Sequence, residues 1–178
     1  MVGSKIRALR EELGMSSSRL AQEAGLSQSA ISQIERGVVD PSLRTLRAIA
    51  ETLNTPIFTL FLDAPSKDIV VRKDRRRSFS PPDYSGRYEL LSPDSTGKVE
   101  MIAMSLQPGT ASSVQPLCHT GDECMLVTQG RAEVVTGDER FVLEAGDTIY
   151  LSEGIPHRVM SIGDEELTCI VAIAPPSF

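Results

Sequence analysis

The sequence predicts a chain of two modules, a bundle of five short helices followed by an all-β sandwich or small barrel. Three observations predict it. Apolar residues recur at three- and four-residue steps as far as residue 61, which gives each segment one apolar helical face. From Val99 the period changes to strand-like alternation, in short runs broken by Gly, Asp and Pro. The charge changes with it. Residues 1–63 carry seven basic and seven acidic side chains, residues 64–98 eight and five, and residues 99–178 three and twelve. The net charge of −6 thus belongs to the C-terminal half. A neutral first module lacks strong non-specific attraction to phosphate, so tight nucleic-acid binding would need a dimer and a few placed cations.

The first helix is expected over residues 4–13, with Ile6, Leu9 and Leu13 inward and Arg10 on the same side. The next two occupy SSRLAQEAGLSQSAISQIER, residues 17–36. Leu20, Ala21 and Ala24 form the inner face of one; Ala30, Ile31 and Ile34 form that of the other. Ser16 and Ser27 stand at N-cap positions. Gly25 falls where the chain must reverse, and glycine takes a left-handed backbone there without strain. Outward on the second of this pair lie Gln28, Ser29, Ser32 and Gln33. A helix bearing amides and hydroxyls there, pinned to a partner helix, suits the DNA major groove.

Helix four follows Ser42 as its N-cap and buries Leu43, Leu46, Ile49, Ala50 and Leu53. Helix five starts with Thr55 as cap and Pro56 at the first helical position, and buries Ile57, Leu60 and Phe61. Together these segments resemble the Cro and lambda-repressor-like (XRE) helix-turn-helix family over about residues 6–61: KIRALREELGMS matches its first helix, and DPSLRTLRAIAETLNTPIFTLF its last two. The resemblance implies a pair between Arg10 and Glu35, and places Ser17, Arg36 and Arg44 near DNA phosphates.

Residues 65–98 read as a connector holding the opening strand of the second module. Ile69-Val70-Val71 is a short apolar run of strand type, and VRKDRRR (71–77) reads as that strand and its turn, with a minor role touching the DNA backbone as the alternative. SPPDYSG (80–86) and LSPDSTG (91–97) are turn-rich loops. Strands are expected at 99–106, 123–130, 131–135, 139–147, 148–151, 157–161 and 167–174.

Two patterns within them, HTGDE at 119–123 followed by Gly130, and GDTIYLSEGIPH at 146–157, resemble the two motifs of the cupin superfamily. That resemblance covers about residues 100–175 and implies a double-stranded β-helix, the jelly-roll barrel. It also implies a metal site. His119, Glu123 and His157 match three of the four family ligands, while Leu117 stands at the place of the first histidine. A 2-His-1-carboxylate set suits one divalent ion, zinc, iron, manganese or nickel. A metal-free ligand pocket and a purely structural barrel are the alternatives. Alternation turns Cys118 and Cys124 away from the site. The same alternation places Met125, Val127, Val159 and Ser161 on the inner wall of an effector pocket, or in an ordinary core.

Three cysteines without a CxxC spacing argue against a disulfide framework and fit a reducing cytosol. The chain shows no signal segment and no apolar run of membrane-spanning length. A helix-turn-helix followed by one cupin resembles the XRE–cupin class of bacterial regulators. The expected partners are operator DNA, a small-molecule effector and a second copy of the chain, with no catalytic residue. The rivals are a cupin oxygenase or isomerase fused to a DNA-targeting head, and a protein-interaction module.

Overall fold

The computed structural model describes residues 2–61, 68–80, 86–94 and 97–178. Two compact units emerge, residues 1–65 with Phe178, and residues 66–177. The module boundary expected at 64–65, the interior of the 80–86 loop and residues 95–96 of the 91–97 loop lie outside the described residues.

The first unit has four α-helices: α1 Val2–Glu12, α2 Ser17–Glu23, α3 Gln28–Glu35 and α4 Leu43–Thr52. Serine caps set three of these starts, with the hydroxyls of Ser16, Ser27 and Ser42 accepting from the N–H groups of Arg19, Ala30 and Thr45. Each satisfies a donor that a helix start otherwise leaves open. Between α2 and α3 the chain reverses at Gly25, whose φ is 66°. Ile6, Leu20, Ala21, Ile31, Ile34, Leu43, Leu46, Ile49 and Ala50 form the core.

Two expectations fail here. The fifth helix is a 3-10 turn, Ile57–Phe61. Five residues following a proline are too few to establish an α-helical ladder, and the three-residue bond from the Thr59 N–H to the Pro56 carbonyl takes its place. The turn still buries Ile57, Phe58 and Leu60. Leu13 is exposed rather than inward, because α1 ends at Glu12 and the chain turns through Gly14. Met15 fills the inward place instead.

The second unit contains β1 Arg77–Phe79, β2 Gly86–Leu90, β3 Glu100–Leu106, β4 Asp122–Gln129, β5 Arg131–Thr136, β6 Glu139–Glu144, β7 Thr148–Leu151, β8 His157–Ser161 and β9 Leu167–Ala174. They form a six-stranded sheet, β1-β2-β3-β9-β4-β7, and a three-stranded sheet, β6-β5-β8. All the pairings are antiparallel. Tyr88, Leu90, Ile102, Met104, Leu106, Met125, Val127, Val134, Val159, Leu167 and Cys169 are buried as its core.

The expected jelly-roll barrel is not closed among the described residues. Beside β8, residues 107–121 make only isolated bridges, Ala111 to Met160 and Leu117 to His157, so no continuous ladder joins the two sheets. The opening strand also differs from expectation. Ile69 and Val70 are exposed and outside any strand, and β1 starts eight residues later, at Arg77. An apolar run becomes a strand only where a neighbour supplies its ladder, and β2 pairs with residues 77–79.

Candidate nucleic-acid interface and metal centre

In the helical unit, α1 holds α3 from behind. Arg10 Nε donates to Glu35 Oε1 at 2.6 Å and Nη2 donates to Oε2 at 3.0 Å, while Nη1 donates to the Met15 carbonyl at 2.7 Å. Both side chains of the pair are close to fully buried. This fork fixes the C-terminal end of α3 against α1. Gly3 completes the contact, because a Cβ there would lie 2.0 Å from the Ile34 carbonyl oxygen.

With its apolar side so held, α3 turns Gln28, Ser29 and Gln33 to solvent and leaves Ser32 half-buried. Gln28 Nε2 donates to Ser17 Oγ at 3.3 Å, which joins the start of α3 to the start of α2. Arg36 Nη1 donates to Ser32 Oγ at 2.9 Å, so Ser32 is partly committed within its own helix. Arg36 and Arg44 are exposed, and Ser17 is half-buried.

In the β unit, His119, Glu123 and His157 come together with one ligand atom each, all within 4.8 Å of one another. Glu123 lies on β4 and His157 opens β8; His119 precedes β4 in the loop. His119 Nε2 is 2.9 Å from Glu123 Oε2, and His157 Nε2 is 3.5 Å from the same oxygen. The two rings meet edge to face, 5.3 Å between centroids.

Hydrogen bonds to the other ring nitrogens fix the tautomers. His119 Nδ1 lies 3.0 Å from the Thr120 carbonyl oxygen, and His157 Nδ1 lies 3.0 Å from that of Ile155. A carbonyl only accepts, so each Nδ1 carries a hydrogen and each Nε2 faces the carboxylate, donating to it when the ring is protonated and offering a lone pair to a metal when the ring is neutral. Three lone-pair donors facing one another need a proton or a metal cation among them. The donor set therefore fits a divalent ion, with the backbone carbonyls acting as its orienting shell. Burial alone pushes the Glu123 carboxyl up, but hydrogen bonds from His119 and then His157 outweigh it and hold the group at about 2.

Some contributors to this site carried no sequence signal. Ser177 sits 58 residues from His119, yet its hydroxyl lies 3.3 Å from His119 Nδ1 and also donates to the Thr120 carbonyl. The Ser177 N–H is held in turn by the buried Glu100 carboxylate at 2.7 Å. Asp122 anchors the strand beside the site. It accepts from Tyr150 Oη at 2.7 Å and the Glu153 N–H at 3.0 Å, which lowers its pKa.

Met125, Val127, Val159 and Ser161 are buried, and Ser161 Oγ has no hydrogen-bond partner among the described residues. Cys118 and Cys124 are exposed, Cys124 through the alternation of β4 and Cys118 in the loop before it. Among the described residues, no helix is long and apolar enough to cross a membrane.

Comparison with known proteins agrees with this division. A helix-turn-helix family model matches residues 6–60, and a cupin domain model matches residues 102–173. The HTH-type transcriptional regulator PuuR of Escherichia coli is 25% identical over 179 residues, covering 99% of this chain and 96% of that one. The HTH-type transcriptional regulator SutR of the same organism is 25% identical over 170 residues, covering 92% and 89%. Among solved structures, an HTH_3 family transcriptional regulator from Vibrio cholerae shares the fold with a TM-score of 0.79. It is 23% identical, covering 97% of this chain and 94% of that one.

Proposed function

From the premise that the chain joins a Cro and lambda-repressor-like helix-turn-helix domain to a C-terminal cupin domain, we propose that it is a sequence-specific transcriptional regulator whose cupin senses a small molecule. The observation that carries this reading is α3, an exposed amide-and-hydroxyl face fixed from behind by the Arg10–Glu35 fork. Gln28, Ser29, Ser32 and Gln33 read base edges, while Ser17, Arg36 and Arg44 meet phosphates and set the register. Two copies read two half-sites of a near-palindromic operator, with centres about 34 Å apart or a multiple of that. The protein works in the cytoplasm, where that DNA is.

In the cupin, His119, Glu123 and His157 hold one divalent ion, zinc, iron, manganese or nickel, and the convergence of their lone pairs supports this. Such an ion would leave positions open for an oxygen or nitrogen donor of the effector. Met125, Val127, Val159 and Ser161 form the inner wall around it. The effector shifts the two heads between spacings by as much as its affinities for the two states differ.

A second reading, a cupin metalloenzyme of oxygenase or isomerase type carrying a DNA-targeting head, draws on the same 2-His-1-carboxylate set. It has no further histidine to serve as a general base, since both histidines of the chain are already in the site.

The test is recovery of genomic fragments by the purified chain, followed by footprinting. A protected near-palindrome supports the regulator. No enrichment over random fragments overturns it.

A further inference from the structure

The run Arg72, Lys73, Arg75, Arg76, Arg77 remains unaccounted for by either site. Within it, Arg76 has an ion pair, 3.8 Å from Glu89, which Arg87 also holds at 3.0 Å. Arg72, Arg75 and Arg77 have no ion pair among the described residues. These three line one concavity of about 130 Å³ in the β unit, over a floor of Leu90 and Pro93 and beside Asp68. With three guanidiniums and one carboxylate, the described lining is cationic by two charges.

One wall group is already desolvated. Arg77 Nη1 is buried without a hydrogen-bond partner among the described residues. A buried guanidinium nitrogen with nothing to donate to is costly, and an anion in the cavity would remove that cost. Position explains the arrangement. Arg77 opens β1 and pairs with Leu90 on β2, so its stem lies against the sheet, and the 3-10 turn Lys73–Arg75 carries Arg75 alongside.

We propose that this concavity is a binding site for a small oxyanion, a phosphate or a carboxylate, separate from the histidine site. Guanidinium forks match the planar or tetrahedral oxygens of such groups with paired hydrogen bonds. Size limits the ligand: the volume is close to the ~150 Å³ cavity that accommodates one benzene. The site takes a small anion or the anionic end of a larger molecule. The inference does not depend on the function proposed above.

The test is calorimetric titration of the full chain with sodium phosphate and, separately, sodium succinate, at constant ionic strength. Arg77→Gln and the double variant Arg72→Gln/Arg75→Gln are titrated beside it. Saturable binding of one anion per chain is expected, weakened about tenfold or more in each variant. Which of the two anions binds identifies the class. If Arg77→Gln does not fold, the double variant, changed at two exposed side chains, decides alone. No saturation by either anion up to millimolar concentration overturns the proposal, as does equal binding by wild type and variants. A random-sequence duplex is the third arm. Duplex binding lost in the variants, without saturable anion binding in the wild type, assigns the arginines to the DNA backbone and also overturns it.

Discussion

Arg10 and Glu35 meet through two parallel hydrogen bonds, of 2.6 and 3.0 Å, across 25 residues of sequence. The fork holds the C-terminal end of α3 against α1. Breaking one side of a near-buried pair leaves the other charge uncompensated, whereas replacing both removes the problem. Glu35→Gln or Arg10→Met should each destabilise the helical unit by about 3 kcal/mol. The double replacement Arg10→Met/Glu35→Leu should cost clearly less than the two summed. Urea unfolding of the four proteins checks this, and additive losses would make the pair an ordinary surface contact.

Gly3→Ala tests the close approach of α1 to α3. On helix propensity alone the change should stabilise by about 1 kcal/mol. The added Cβ, 2.0 Å from the Ile34 carbonyl, reverses the sign, with an expected loss of about 1–3 kcal/mol. A melting temperature equal to or above wild type would show that the helices separate at no cost.

At the proposed DNA surface, Gln28→Ala should relax preference for one base pair by about 1–3 kcal/mol with stability unchanged, since the residue is exposed. Selection from a random-sequence library reads this out. Equal loss on every sequence would move Gln28 from reading bases to positioning.

The purified, untagged protein should contain about one divalent ion per chain, removed by His119→Ala/His157→Ala. Elemental analysis by mass spectrometry decides it. Equal metal in the double variant would place the ion elsewhere.

Thiol chemistry provides an independent probe of the β unit. Cys118 and Cys124 are exposed, while burial pushes the Cys169 thiol up to about 12. At pH 8 only about one Cys169 in ten thousand is thiolate. Iodoacetamide should therefore modify two cysteines quickly and the third only on unfolding. Fast labelling of all three would mean that β9 opens readily.

Periodicity in the sequence reaches only what local pattern can decide. It finds α2, α3 and α4 through their caps and inner faces, and places β3 to β9 within a residue or two, except that β6 ends at Glu144 rather than 147. Local pattern fails where a partner distant in sequence decides the outcome. Residues 77–79 and 86–90 become strands because β3 and then β2 present open edges, which no property of RSF or GRYEL announces. Leu13 misleads because it continues the helical spacing one residue past the actual end of the helix. In the candidate metal centre, the three side chains follow from motif spacing. Ser177 and the orienting carbonyls of Thr120 and Ile155 do not, since backbone atoms have no residue identity and Ser177 arrives only when β9 pairs with β4.

Leu117 and His157 exchange backbone hydrogen bonds in both directions, each 2.9 Å long. Residues opposed in this way project their side chains from the same face of the pair. The backbone thus still delivers position 117 beside the imidazole at 157, although an aliphatic chain now occupies it. The proposed metal site is thus open to a fourth donor through Leu117→His, without rebuilding the scaffold. One side chain on this frame decides between three donor groups and four.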